Sequence, residues 1–216
     1  MMKSFLQKPY RPFDTIDASA ISLFRLCFAG TLLFHLWEQF FFLHDKFIKP
    51  HYFFFYSGLD FIQPLPIECI YIHFLLMVMA VLGILFGLNY RFSSIIFWVL
   101  YTYFFLIDTS YYKNHFYLIT LIYFLMIFIN AHARFSLKKK HATLKQYRWQ
   151  LWILRFQFCI VYFFAGIAKM NADWFRGEPL MGILKNQFSS LSYLPNDTLI
   201  YAYILGGLIF DLLILY

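Results

Sequence analysis

Two short constellations in this 216-residue chain carry residue types able to do chemistry. The first is Asp108 followed by Asn114-His115. The second is Ala165-Gly166-Ile167-Ala168-Lys169-Met170-Asn171-Ala172-Asp173-Trp174. A lysine partly desolvated at the mouth of a helical cavity loses its preference for the charged form and becomes a candidate general base. An Asn-His pair can hold polar oxygens or stabilise developing negative charge. Each also has a plainer reading: Lys169 as a snorkelling lysine at the end of a span, and Asn114-His115 as the start of an interfacial helix. On a helix, Lys169 shares a face with Ala165 and Gly166, where small side chains admit a neighbouring helix or a flat ligand. Tyr162 and Arg155, at seven-residue intervals before Lys169, continue that stripe.

Other features narrow the chemistry. Arg25, Glu38 and Asp211 fall within or near apolar runs, where ionisable groups face the interior and mark function or a buried partner. Arg25 and Glu38 are too far apart in sequence to pair along one helix. The chain has no HExxH, no Gly-rich phosphate loop, no GxSxG elbow and no CxxC, so no metal site is expected. His132 and His141 flank a basic loop without a supporting second pair. Cys27 and Cys159 lie in apolar runs and read as packing, while Cys69 sits near a membrane boundary.

The elements that must position these residues follow from composition. Hydrophobic residues make up 62% of the chain and charged residues 13%, about half the roughly 25% of a soluble domain. Phenylalanine alone occurs 30 times, and mean hydropathy is +0.62. A soluble fold of this length could not hide that much apolar surface, so the solvent is the bilayer. The reading is an all-α integral membrane protein, a polytopic helical bundle of about six transmembrane helices. The spans run over about 18–43, 68–88, 92–108, 115–130, 150–168 and 199–216, each near the ~20 apolar residues needed. The last is still apolar at Tyr216 and is expected to be truncated. Residues 1–17 form an N-terminal segment, and 174–194 an interfacial or re-entrant stretch. No internal repeat divides the 18–216 domain.

Orientation follows from the basic residues. Lys3, Lys8, Arg11, Arg91 and the loop from Arg134 to Arg148, with Lys138-Lys139-Lys140, gather the larger share on one side. The positive-inside rule makes that side cytoplasmic, with the N-terminus on it. The formal charge of +7 then reads as topology and contact with anionic headgroups, and no nucleic-acid partner is expected. Both constellations fall on the opposite face, together with Tyr111, Tyr112, Trp174 and Tyr193 of an aromatic belt. A composition rich in Phe, Ile, Lys and Tyr suggests an AT-rich genome and hence a bacterial inner membrane, with the site facing the periplasm, exterior or lumen.

At these constellations the chain resembles the vitamin K-dependent gamma-glutamyl carboxylase family, with its horizontally transferred transmembrane (HTTM) domain. The matching stretches are Ser22-Leu23-Phe24-Arg25, Gln63-Pro64-Leu65-Pro66, Gly87-Leu88-Asn89-Tyr90-Arg91, Asp108 and Asn114-His115-Phe116-Tyr117-Leu118. They continue with Leu154-Arg155-Phe156-Gln157, Ile160 to Gly166, Lys169 and Ala172-Asp173-Trp174. Their order and spacing together, from about Ser22 to Asp211, carry the resemblance.

The resemblance implies an enzyme that uses reduced vitamin K (the hydroquinone) or a related quinol, with O2 and CO2. In the family a lysine of the Ala-Gly-x-x-Lys stretch deprotonates the hydroquinone, oxygen adds, and a strongly basic alkoxide forms on the way to the epoxide. That base takes a gamma-proton from a peptide glutamate, and carbon dioxide captures the carbanion. Lys169 matches the lysine base, and His115 with Asn114 matches the polar pair near the quinone oxygens. Tyr162, Arg155 and Asp108 are the further candidates for quinone binding. Animal members carry two adjacent lysines where this chain has Ala168-Lys169. They also carry a large extramembrane region that binds the protein substrate and has no match here. The implied partners are the bilayer, a quinone and a glutamate-containing peptide. The competing readings are a small-solute transporter, with Arg25, Glu38, Asp108 and Asp211 along a path, and a non-catalytic membrane scaffold or subunit. A transporter predicts paired helix breaks and repeat symmetry, and neither is visible.

Overall fold

Helix α1 (Ser19–Leu43) sets the pattern for the structure, a computed structural model that describes residues 11–49, 52–137, 145–178, 204–207 and 209. Its buried positions are Ile21, Ser22, Arg25, Ala29, Leu32, Leu36 and Leu43, a stripe at three- and four-residue spacing. Leu23, Phe34, Trp37 and Phe41 lie on its exposed surface. Large exposed apolar side chains on a helix that buries polar Ser22 and Arg25 are what a lipid-facing helix requires.

The chain divides into two compact units, Met1–Ile153 and Leu154–Tyr216. In the first, α1 packs on α2 (Ile67–Phe86), α2 on α3 (Tyr90–Ile107), and α3 on α4 (Asn114–Phe128). Tyr123 of α4 ties three of these together: its ring lies 5.2 Å from Phe28 of α1 and 4.5 Å from Phe97 of α3. Helix α5 (Arg148–Lys169) leads from the first unit into the second, which also holds the short α6 (Ala172–Arg176).

Among the described residues, four helical stretches are long and apolar enough to cross a membrane: Ser19–Ile48, Ile67–Phe86, Tyr90–Ile107 and Arg148–Lys169. These coincide with the first, second, third and fifth expected spans. Helix α4, at the fourth, has 15 residues, about 22 Å of rise, and is short against a hydrocarbon core of about 30 Å. Of the sixth span only 204–207 and 209 are described, and most of the 174–194 stretch lies outside the described residues, as do Lys138 to Lys140, His141 and Asp211.

Three local departures from the sequence expectation have physical reasons. Helix α1 does not stop at Leu43 but continues through a π-helical turn, His44–Ile48. An ion pair from Lys49 to Asp45 at 2.6 Å and a bond from Lys46 Nζ to Gln39 Oε1 at 2.5 Å hold the extra turn. Between α2 and α3 the connection is tighter than expected, with Tyr90 and Arg91 already helical. Gly87 adopts φ +68°, and its N–H caps α2 through Gly83 O and Ile84 O, while Leu88 N donates to Gly83 O. Finally, two short strands join the N-terminal segment to the end of the basic loop. Strand β1 (Thr15–Asp17) pairs antiparallel with β2 (Lys145–Tyr147), Ile16 opposite Gln146.

The end of the first unit that holds these strands is locked by Arg25. Its side chain is fully buried and donates to Ile84 O at 3.3 Å, Arg134 O at 3.4 Å and Phe135 O at 2.5 Å. Burying a guanidinium is costly unless its protons are matched. Here the last turn of α2 supplies one carbonyl from the negative end of its dipole. Ser22 Oγ accepts from Arg134 N at 3.1 Å, and Arg134 reaches Asp17 at 3.2 Å and Ser19. The buried partner expected for Arg25 is therefore a set of backbone carbonyls.

Candidate functional site

The sequence-predicted residues fall into both units, and each group is built locally. In the first unit α3 ends at Ile107 and Asp108 turns extended. Asp108 is buried, and its Oδ1 accepts from Ser110 N at 2.8 Å, capping the 3-10 turn Thr109–Tyr111. That bond gives Asp108 a structural task, the shaping of the turn that leads into α4. Tyr56 lies beside this turn. Burial, with Tyr112 and Asp108 nearby, pushes its hydroxyl pKa above the ordinary value.

Asn114 and His115 are the first two residues of α4, and both are exposed in the structure. The His115 ring meets Phe116 edge-on with centroids 4.3 Å apart, and Lys113 Nζ sits 5.5 Å over the same Phe116 ring. The Phe116 ring in turn lies 5.0 Å, centre to centre, from the imidazole of His35 on α1, tilted by 53°.

That contact leads into an aromatic-lined cavity of about 60 Å³ at this end of the first unit. His35 and Gln39 of α1, Tyr101 of α3 and Lys46 of the π turn bring polar atoms to it, and Phe105 and Phe116 supply ring walls. The Tyr101 hydroxyl lies 3.3 Å from His35 Nε2. Phe47 and Phe104 stack at 4.6 Å and close one side. The cavity escaped the sequence reading, in which His35 served only as an interruption of an apolar run. The available signal was the four-residue spacing of His35 and Gln39, which puts two polar groups on one stretch of an apolar helix.

In the second unit Lys169 is half-buried and ends α5. Its Nζ donates to Gly207 O at 3.4 Å and stands 5.2 Å from the centre of the Trp174 ring. Trp174 is held there because Asn171 caps α6. Asn171 Oδ1 accepts from Trp174 N at 2.8 Å, and its Nδ2 donates to Ala168 O at 2.6 Å. The Trp174 indole N–H is buried without a hydrogen-bond partner. An orphaned donor beside an amine is a local environment suited to an oxygen acceptor. The stretch Asn171 to Trp174 therefore positions an aromatic plane beside Lys169, a role the sequence reading confined to the membrane belt.

Tyr162 is half-buried on α5, and Arg155 is exposed. At 1.5 Å per residue Arg155 lies about 21 Å along the helix from Lys169. One quinone ring cannot touch both, so Arg155 does not share a ring-sized site with Lys169. No group of three or more potential metal ligands occurs among the described residues.

Comparison with known families adds one match. A family model described as the HTTM domain covers residues 10–216, almost the whole chain. No solved structure matches the chain.

Proposed function

The chain belongs to the HTTM domain family, and from that premise we propose that it is a membrane-embedded enzyme of the vitamin K-dependent gamma-glutamyl carboxylase type. It oxidises a reduced quinone to the epoxide with O2, releasing water, and it can couple this to carboxylation of a peptide glutamate with CO2. The single observation that carries the reading is Lys169: half-buried at the end of α5, under an aromatic plane, in the position the family resemblance gives to the base.

In this reading each residue has a definite task. Lys169 accepts a proton from the quinol hydroxyl. The Trp174 ring, 5.2 Å from the amine, supplies an aromatic wall beside it against which a flat ring can pack. Within the first unit, Asn114 and His115 are exposed at the start of α4 and offer donors for polar oxygens or developing negative charge. Tyr162 contributes to the ring-binding surface, while Arg155 serves packing or the cytoplasmic boundary. The N-terminus is cytoplasmic, and the site faces the periplasm or exterior.

The test uses membranes carrying the full chain, supplied with reduced vitamin K, oxygen and bicarbonate, with epoxide measured by chromatography. Wild-type membranes are expected to form epoxide, and Lys169→Ala membranes with equal protein to form none. Absence of turnover by the wild type overturns the proposal.

A further inference from the structure

We propose that the open groove along the C-terminal part of α1 binds one anionic phospholipid, with the ammonium groups of Lys46 and Lys113 on its phosphodiester and an aromatic stripe of α1 along an acyl chain. The inference uses the first unit alone and is independent of the quinol reading.

The direction of Lys46 is the first argument. It lies near the end of the helical stretch Ser19–Ile48, where a lysine ordinarily extends its charge outward to water. Here the side chain turns the other way. Nζ donates at 2.5 Å to Oε1 of Gln39, seven residues earlier and about 10 Å back along the helix. It also stands 5.7 Å from the centre of the Phe42 ring. An ammonium drawn toward the apolar part of a span calls for an anion or a polar cleft around it. Lys113, from the turn before α4, lines the same groove, its Nζ 5.5 Å over the Phe116 ring. Two ammonium groups from separate elements therefore converge on one groove, each steadied by an aromatic face.

Charge and shape then select the occupant. The Glu38 carboxylate also lines the groove, so two lysines and one carboxylate leave one net positive charge. A phosphodiester carries one negative charge, and lysine binds phosphate as a compact charge with several donors. Toward the N-terminal side of this pair, Phe34, Trp37 and Phe41 recur at three- and four-residue spacing, each at least 60% exposed. All three line the groove, and the rings of Trp37 and Phe41 meet edge-on at 5.1 Å. The groove, about 700 Å³, falls in the roughly 300–1,000 Å³ range of small-ligand sites. It joins a cationic end to an apolar track on one helix. A soluble phosphate would leave that track uncovered, and a neutral lipid would gain little from the lysines. An anionic phospholipid fits both ends, and the bilayer around α1 supplies it.

The experiment is native mass spectrometry of the full chain in detergent micelles. The protein is titrated with dioleoylphosphatidylglycerol or, as the zwitterionic comparison, dioleoylphosphatidylcholine. Lys113→Gln removes one ammonium from an exposed position. Lys49→Gln makes the same charge change at a lysine that pairs with Asp45 and does not line the groove. Thermal melting checks the fold of each variant. The wild type is expected to retain one phosphatidylglycerol in preference to phosphatidylcholine. Lys113→Gln is expected to weaken that retention about fivefold, the effect of one lysine beside an anionic lipid, and Lys49→Gln to change it by less than about twofold. Equal retention of the two lipids overturns the assignment, because the contact is then that of any lipid around a span. Equal weakening by the two variants also overturns it, since general surface charge then accounts for the binding. A dimer that depends on Lys113 and retains no lipid gives the groove to a second copy and overturns it as well. Should Lys113→Gln melt early, Lys46→Gln provides the same comparison against Lys49→Gln.

Discussion

The fully buried guanidinium of Arg25 and the backbone carbonyl of Phe135, 110 residues apart in sequence, meet at 2.5 Å. The contact fixes the loop after α4 to the middle of α1's first turns. It also uses a residue in an uncommon conformation, since Phe135 has φ +55°. A non-glycine residue in the left-handed region costs roughly 1–2 kcal/mol, which the charged hydrogen bond, worth about 1.5–3 kcal/mol, can offset.

Arg25→Met is expected to be among the most destabilising single changes in the first unit. It removes the guanidinium bonds to the carbonyls of Ile84, Arg134 and Phe135, each a hydrogen bond to a charged group worth about 1.5–3 kcal/mol, and leaves Ile84 O with the Gly87 N–H alone. Arg25→Lys keeps the charge but lacks the planar fork that reaches several carbonyls, so an intermediate loss is expected. Thermal melting in detergent ranks the three proteins. Equal melting of Arg25→Met and wild type would show that the buried arginine does not hold this end together.

Two glycines separate conformational demand from helix propensity. At Gly87 the backbone has φ +68°, and an added Cβ would sit 2.6 Å from Arg25 Nη1 and against Ser136. Gly87→Ala therefore combines a left-handed backbone penalty with displacement of the buried guanidinium, and a loss well above 1 kcal/mol is expected. Gly30, inside α1, has nothing within 4 Å of such a Cβ. Gly30→Ala is expected to be neutral or to stabilise by about 0.5–1 kcal/mol. The contrast is read from paired melts and fails if the two alanine variants behave alike.

Apolar length was enough to find α2, α3 and α5, because bilayer thickness sets a minimum run that few other folds supply. The turn between α2 and α3 was legible too, since Gly87 and Asn89 are the residue types that tolerate the left-handed region. The end of α1 was not. His44-Asp45 looks like a polar stop, yet the helix runs on by one turn, closed by Lys49 N donating to His44 O and joined by the side-chain bonds of Lys49 and Lys46. Long-range chemistry was the least legible. Arg25 finds partners 59 and 110 residues away, and the His35–Tyr101 pair spans 66, distances at which one sequence carries no pairing signal. Lys169 stood out from its neighbours by spacing, but Trp174 as its cover depended on the Asn171 cap, visible only in the fold.

Acidification should act through His132 in the loop after α4. Its ring stacks on Tyr90 at 5.1 Å, and its Nδ1 is buried without a partner. Burial, then the nearby positive charges of Arg25 and Arg91, hold its pKa below the ordinary value. A folded-state pKa below the unfolded value of about 6.5 means that protonation favours unfolding. The contribution is intact above about pH 6.5 and is lost as the pH falls through the depressed folded value. Wild-type melting temperature is expected to fall between about pH 7.5 and 5, and His132→Phe is expected to flatten that fall. Parallel pH profiles for the two proteins would assign the acid sensitivity elsewhere.

A charge-preserving change at Lys169 distinguishes a base from a membrane anchor. A snorkelling lysine needs only a long side chain with a charged head, and arginine supplies one. A general base needs a neutral amine during turnover, which arginine does not offer because its guanidinium stays protonated. Lys169→Arg should therefore insert and melt like the wild type while losing epoxide formation as fully as Lys169→Ala, roughly 100-fold or more. The guanidinium can still stack on Trp174, which now lies 5.2 Å from the lysine nitrogen, so the local fold has a reason to survive. Chromatographic assay of epoxide in membranes matched for protein provides the readout. Turnover by Lys169→Arg near the wild-type rate would reduce Lys169 to an anchor and move the base to another residue.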